Sequence, residues 1–430
     1  MPLFLYRLIQ LSHQTNMTKA QDKTIVIIGG GYAGSNVAKE LERKAPSNCR
    51  ILLVEKKTHF YHSIGSTRAA VQDFKIMIPY TNLFKKPQNR VIHAAAVKLE
   101  KNKLHLDREV DGSSTIDFNF AIIASGSAYP SPFKAPSDDY EASMAALTKI
   151  REQIQQAKSI LVVGGGPVGV EFIGEVVDVY GKGSKNITLV GSRDKLLQDN
   201  VPDKARIMLQ NKLEDAGVKL IMGDRVNVPK DTTIFVPDGP LTTKNGISVN
   251  ADLVIVAFGV KPNTSFLDPS LVASNGYVRV KPTLQVDAEG WENTYVLGDV
   301  ADLKEVKLAA KQRGHIPVVL ANLLNALNGK QPPKEWKPSP DIFGITFGKK
   351  QGVVATPWFT LGDWLIAKAK GKDFLRSRFL DLLNSKEEND NPPCSLRWPL
   401  MLSTVAICVA ASYFAYSNKH LTFYKFILTE

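Results

Sequence analysis

The stretch TIVIIGGGYAG, residues 24–34, decides the fold. An apolar, β-branched run reaches Gly29, Gly31 and Gly34 in the spacing G-x-G-x-x-G, and a helical pattern follows over 33–44. A strand that stops at such a turn and continues as a helix opens a βαβ unit. The first glycine permits the tight turn, the second lets backbone approach a pyrophosphate, and the third lets helix and strand pack closely. Free N–H groups at the helix start then attract phosphate oxygens. The next strand, ILLV at 51–54, ends at Glu55, about 20 residues past the last glycine, where a carboxylate accepts hydrogen bonds from ribose hydroxyls.

The pattern recurs. ILVV (160–163) leads into Gly164, Gly166 and Gly169, a helix runs to about Tyr180, and ITLV (187–190) follows. Each unit has a closing strand with a glycine turn: AIIASG (121–126) supplies Ser125 and Gly126, and VIVAFG (254–259) ends at Gly259. YVLGD (295–299) adds a further strand ending in Gly298-Asp299. The second unit lies between AIIASG and YVLGD, so it is expected to be inserted into a discontinuous first domain. The expected architecture is α/β, with two Rossmann-like dinucleotide-binding domains: 22–140 with 263–330, and 141–262. An extension (1–21), a C-terminal α+β region (331–383), a linker (384–397) and a membrane-helix candidate (398–418) complete the division.

The second unit departs at one informative place. Gly191-Ser192-Arg193 follows ITLV, with no acid at the strand end. Arg193 is therefore either a 2′-phosphate contact, which admits NADPH beside NADH, or a solvated surface cation. Asp299 is placed to bond a polyol hydroxyl. A helix opening at Ala309, Ala310, Lys311 and Gln312 would put N–H groups and a partial positive charge near a cofactor ring, where they stabilise an anionic reduced flavin.

Composition narrows the function. Lys and Arg exceed Asp and Glu by 12, which suits anionic partners. The basic residues are dispersed, and no nucleic-acid module is recognisable. Three cysteines (Cys49, Cys394, Cys408) without a C-x-x-C exclude a disulfide scaffold, a four-cysteine metal site and a dithiol redox centre. His59 and His62 stand three apart without a third ligand, so they are read as cofactor-proximal or packing residues and no metal site is assigned.

The ends carry their own expectations. Residues 1–21 contain no acid and read as a disordered extension, a weak mitochondrial presequence or a short membrane-facing arm. The charge-free stretch 398–418, bracketed by Arg397 and Lys419, reaches the ~20 residues needed to cross a bilayer, against the alternative of a buried or interfacial helix. Residues 364–383 carry Lys368, Lys370, Lys372, Arg376 and Arg378 beside an apolar face of Trp364, Leu365, Phe374, Leu375, Phe379, Leu382 and Leu383, with Gly371 a candidate helix break. They read as a basic amphipathic segment on an anionic lipid surface or as a solvated face over a packed helix.

Together TIVIIGGGYAG, VEKK, AIIASG, ILVVGGGPVGVE, VIVAFGVKPN and YVLGD resemble the two-dinucleotide-binding-domain flavoproteins, across about residues 22–383. The segment THFYHSIGSTRAAV (58–71), where the disulfide-reductase branch has its cysteine pair, is similar to the branch of apoptosis-inducing-factor homologues and ferroptosis-suppressor quinone reductases. The resemblance implies FAD at the first unit and NADH or NADPH at the second. It implies FAD contacts from Gly29, Gly31, Gly34, Glu55, Arg68 and Asp299, with Ser125 in place of a family threonine. Gly164, Gly166, Gly169 and Glu171 fall at the nicotinamide site, Lys311 and Gln312 at the helix under the flavin, and Lys370 at a functional lysine. The implied activity is hydride transfer from NAD(P)H to flavin and onward to a quinone or other small acceptor. A low-turnover redox-sensing cell-death protein and a ferredoxin-type reductase stand as alternatives. Membrane lipid and a second copy of the chain stand as partners. The expected location is a membrane facing the cytoplasm, such as the mitochondrial outer membrane or a lipid droplet, or the mitochondrion itself.

Overall fold

The computed structural model describes residues 22–386 except Asp231. Two five-stranded sheets carry the architecture. The first runs Thr294–Val296, Phe120–Ile123, Lys23–Ile28, Cys49–Glu55 and Arg90–His93, all parallel. Its strands are near-continuous in buried Val, Ile and Leu, as a sheet covered on both faces requires. The second runs Lys219–Met222, Asn186–Gly191, Ser159–Val163 and Leu253–Val256 in parallel, with Ile234–Phe235 antiparallel at its edge.

Thr294–Val296 pairs with Phe120–Ile123 although the whole second sheet separates them in sequence. The insertion inferred from YVLGD is therefore correct. The two crossings between domains, Ser127–Ala128 and Lys261–Pro262, pair antiparallel as a two-strand ribbon. The first boundary thus falls earlier than the expected residue 140.

A three-stranded antiparallel sheet, Phe343–Phe347, Gln351–Ala355 and Thr360–Leu361, follows the Pro-rich stretch. It rests on helix Pro167–Tyr180, and Gly174 is what lets it: a Cβ there would lie 2.6 Å from Phe347 Cα and 2.7 Å from Gly348 N.

Residues 364–383 do not form one amphipathic helix. Helix Asp363–Ile366 passes into a π-helix, Ala367–Gly371. Two left-handed residues follow, Phe374 (φ 52°) and Leu375 (φ 67°), and then helix Arg376–Leu382. Gly371 sits at the break because a side chain there would meet the Lys349 carbonyl oxygen at 2.2 Å. Of the segment's apolar face, Phe374 and Leu383 are buried beside Ile366 and Leu380, Leu365, Leu375, Phe379 and Leu382 are half-buried, and Trp364 stays 69% exposed. No helix among the described residues is long and apolar enough to cross a membrane. The anchor candidate 398–418, most of the linker and the extension 1–21 lie outside the described residues.

Candidate active site

The two glycine turns repeat one geometry. Gly29 (φ 103°) and Gly164 (φ 128°) take backbone conformations that disfavour side chains, and an added Cβ would strike the carbonyl oxygens of Ala124 (2.6 Å) and Ala257 (2.5 Å). Gly34 and Gly169 press on the first glycine of their own turn: a Cβ would lie 1.8 Å from Gly29 O and 2.2 Å from Gly164 O. Gly31 and Gly166 differ from both, since nothing lies within 4 Å of an added Cβ. Each of these middle glycines caps its helix, Tyr32–Lys44 or Pro167–Tyr180, without a capping side chain and without an acid in the first turn. Open space against unshielded helix N–H groups fits a pyrophosphate at both turns.

The first turn is braced by polar side chains. The Gly30 carbonyl accepts from Ser35 Oγ and Tyr80 OH, both at 2.7 Å. Gly30 N–H donates to Glu55 Oε2 at 2.5 Å, and Lys57 donates through its backbone N–H (2.9 Å) and its ammonium to Oε1. Burial alone would raise the Glu55 carboxyl. Lys57 and the two backbone N–H groups outweigh it and hold the carboxyl below its ordinary value. Glu55 is thus an ionised acceptor at the place a ribose diol needs one.

Asp299 follows Gly298 and accepts from Ser127 Oγ at 2.9 Å. Half-buried Lys134 lies in the field of Asp299 and Lys57. Burial lowers its ammonium, against the pull of Asp299. The Ser125 hydroxyl donates to Asn263 O (2.7 Å) and its carbonyl accepts from Asn263 Nδ2 (2.8 Å), which ties the first domain to the chain returning from the second. Gly126 (φ 67°) beside it and Gly259 (φ 100°) have open space around them.

Several expected contacts are placed otherwise. Lys311 is buried with its ammonium on Ser339 O (2.7 Å) and Asp341 Oδ1 (2.7 Å), so it tethers the Pro-rich segment and is no free catalytic group. Gln312 beside it reaches Asn36 Nδ2 at 3.4 Å. Arg68, 2% exposed, forms a bidentate pair with Glu175 (2.8 and 3.0 Å) and donates to the carbonyls of Gly371 (2.9 Å) and Lys372 (3.0 Å). The Phe374 ring covers it at 4.4 Å. Its guanidinium thus joins the two domains and the C-terminal region. Burial pushes the Glu175 carboxyl up against the pull of Arg68.

Glu171 and Lys370 are brought together as catalytic candidates. Glu171 stands one turn into helix Pro167–Tyr180, and its Oε1 accepts from Lys370 Nζ (2.5 Å), Thr346 N (3.0 Å) and Thr346 Oγ1 (3.1 Å). Lys370 also reaches Gly344 O at 3.1 Å. The contact exists because Gly174 lets the third sheet approach and the π-helix turns Lys370 inward, a device often found at functional sites. Arg193 is exposed, with a single long bond to Leu197 O (3.4 Å). His59 and His62 are buried, and no metal-binding cluster occurs among the described residues.

Sequence reasoning missed Lys134, Ser127, Asn263, Gly174 and Glu175. Glu171 and Glu175, spaced i, i+4 around Gly174, were the one available signal: two acids on one helix face beside a site of close approach.

The model of the family described as pyridine nucleotide-disulphide oxidoreductase matches residues 23–316. The chain is 31% identical over 392 residues to apoptosis-inducing factor homolog B of Dictyostelium discoideum, covering 85% of this chain and 98% of that one. It is 32% identical over 366 residues to ferroptosis suppressor protein 1 of Mus musculus, covering 82% and 94%. Among solved structures, the sulfide:quinone oxidoreductase of Aquifex aeolicus superposes with a TM-score of 0.65 at 15% identity, over 84% of this chain and 92% of that one, a likeness of fold. The chain belongs to the pyridine nucleotide-disulphide oxidoreductase family, as an FAD-dependent oxidoreductase that takes NAD(P)H as its substrate.

Proposed function

We propose that this chain passes electrons from NAD(P)H to a quinone-type acceptor. The reading is carried by the paired glycine turns, each with a middle glycine facing open space at an uncapped helix start. Gly29, Gly31, Gly34, Glu55 and Asp299 would hold FAD, and Gly164, Gly166 and Gly169 the nicotinamide nucleotide. FAD, when bound, supplies a two-electron acceptor that releases electrons as a pair or singly. Glu171, fixed by Lys370 and Thr346, orients the nicotinamide one turn in from the phosphate-binding helix end.

The acceptor must reach the first site directly. Cys49, the one cysteine among the described residues, is buried on the first sheet, and the sequence has no C-x-x-C, so no dithiol relay stands among the described residues. The resemblance of residues 58–71 to the quinone-reductase branch and a fold neighbour named sulfide:quinone oxidoreductase support a lipid-soluble quinone. In this reading the protein works on a membrane surface. The net charge of +12 and the exposed Trp364 suit an anionic lipid face.

The test is anaerobic stopped-flow reduction of the yellow protein by NADH and NADPH, followed by turnover with a soluble quinone. Glu171→Gln and Lys370→Met should each slow flavin reduction at least tenfold, a loss of about 1.4 kcal/mol of transition-state stabilisation. Wild-type rates in both would remove the pair from the site. A second reading, a cell-death signalling protein with little turnover, draws on the apoptosis-inducing-factor relative. It predicts rapid reduction without quinone-dependent turnover. A ferredoxin-type reductase would turn over only with an iron–sulfur partner.

A further inference from the structure

We infer that His62 is a positioning residue for Lys370, acting across the domain boundary through the backbone of Phe374. The inference rests on the reading that the Glu171–Lys370 pair serves the nicotinamide site. His62 follows strand His59–Tyr61 of the flavin domain and is fully buried. Its Nε2 lies 2.9 Å from Phe374 O, and its Nδ1 lies 3.2 Å from the Tyr32 hydroxyl. A carbonyl oxygen only accepts, so Nε2 carries the proton and Nδ1 takes the Tyr32 hydroxyl hydrogen. Tyr32 OH is itself oriented by the Ile64 N–H at 2.8 Å. Tyr32 from the flavin side and Phe374 O from the C-terminal region thus agree on one tautomer and one ring direction.

The carbonyl that His62 holds belongs to a strained turn. Phe374 and Leu375 are consecutive left-handed residues without a glycine, a conformation that persists only where surrounding contacts over-determine it. Phe374 N–H closes back onto Lys370 O at 2.8 Å, so the turn and the lysine move as one piece. Asp373 accepts from Leu375 N (2.9 Å) and Ser377 N (3.2 Å), and the Phe374 ring lies on Arg68. Arg68 of the flavin domain also donates to the carbonyls of Gly371 and Lys372, ahead of the left-handed pair. The His62 bond is the directional contact from the flavin domain to the Phe374 backbone. Arg68 holds Gly371 and Lys372 from one side, so loss of the His62 bond frees the Phe374 end of the turn that closes on Lys370 O, and Lys370 Nζ shifts from Glu171.

The test is a double-mutant cycle on the flavin-loaded full chain, with hydrogen exchange as a second readout. His62→Leu should slow flavin reduction by NAD(P)H about ten- to a hundredfold, the scale of a misplaced catalytic group. It should also speed amide exchange in a peptide spanning 367–377. His62→Gln, whose side-chain amide can donate to Phe374 O, should restore most of the rate. In a Lys370→Met background His62→Leu should add nothing. Additive effects of the two substitutions, or wild-type rate and exchange in His62→Leu, would overturn the inference. Wild-type rates in Lys370→Met and Glu171→Gln would instead sink the underlying reading, which separates the two failures. If His62→Leu does not accumulate folded, Tyr32→Phe, which frees the imidazole to change tautomer, should show the same non-additivity with a smaller effect.

Discussion

The two nucleotide turns of this chain share a backbone and differ in how they are closed. Ile28 pairs with Val54 in the first sheet, and Val163 pairs with Val190 in the second, so Glu55 and Gly191 occupy equivalent posts at the strand ends. At the first post a buried carboxylate is held by Gly30 and Lys57, with Tyr80 and Ser35 bracing the same turn. At the second there is no side chain. The Met222 methyl group takes the space, 2.7 Å from where a Gly191 Cβ would sit, and Leu197 N–H bonds the Gly165 carbonyl at 2.8 Å. A turn braced by buried polar groups suits a cofactor held permanently. A turn walled by a flexible thioether, with exposed Arg193 beside it, suits a nucleotide that enters and leaves.

The largest effect should come from the third glycine of each turn. Gly34→Ala drives a methyl group into the Gly29 carbonyl, and Gly169→Ala does the same at Gly164. If the first site holds the resident cofactor, Gly34→Ala yields protein that retains no flavin. Gly169→Ala yields yellow protein that NADH reduces at least a hundredfold more slowly, a loss of about 2.7 kcal/mol. Absorption spectra before and after anaerobic NADH read both outcomes. A yellow Gly34→Ala protein with a colourless Gly169→Ala protein would reverse the assignment of the two sites.

A smaller effect tests the missing acid. Gly191→Asp places a carboxylate where Glu55 stands in the first unit, and the end of Met222 can swing aside for it. The kcat/KM for NADPH should fall at least tenfold relative to NADH, since the new charge repels a 2′-phosphate. Arg193→Ala should lower NADPH efficiency by about tenfold, roughly 1.4 kcal/mol, and leave NADH unchanged. No loss with NADPH in Arg193→Ala would make Arg193 a surface cation, and equal losses with both nucleotides in Gly191→Asp would leave the strand-end glycine without a role in selectivity.

Much of this was legible in the sequence, for a definite reason. The glycines, Glu55 and Asp299 act through backbone geometry or strand-end placement, so their spacing along the chain already encodes their position. The insertion was legible because YVLGD reads as one strand more than a single unit needs. The partners of Arg68 and Lys311 were not legible, because spacing along the chain cannot show that Glu175 and Asp341 bind them. The break in 364–383 was half visible at Gly371. The left-handed residues Phe374 and Leu375 carry no sequence signal, because tertiary contacts alone hold them there.

The smallest effect concerns acid, and it falls on one side of the comparison. Burial pulls His62, in the first domain, down to about 4, and it pulls neighbouring His59 to about the same value. The folded imidazole of His62 refuses a proton that the unfolded chain accepts near its ordinary value of ~6.5. Its contribution to stability is therefore fully present above that pH and is lost as pH falls towards about 4, by up to about 1.4 kcal/mol per pH unit. Below that window Glu55 continues the trend: its carboxyl is held below the ordinary value, so its contribution disappears as pH falls through the lowered one. Thermal unfolding followed by flavin fluorescence should thus become steeply pH-dependent below pH 6.5. His62→Gln should remove up to one proton from the slope between pH 6.5 and 4, and Glu55→Gln should flatten only the more acidic end. An unchanged slope in His62→Gln would mean that the imidazole titrates freely in the folded protein, contrary to its burial between Tyr32 and the Phe374 carbonyl.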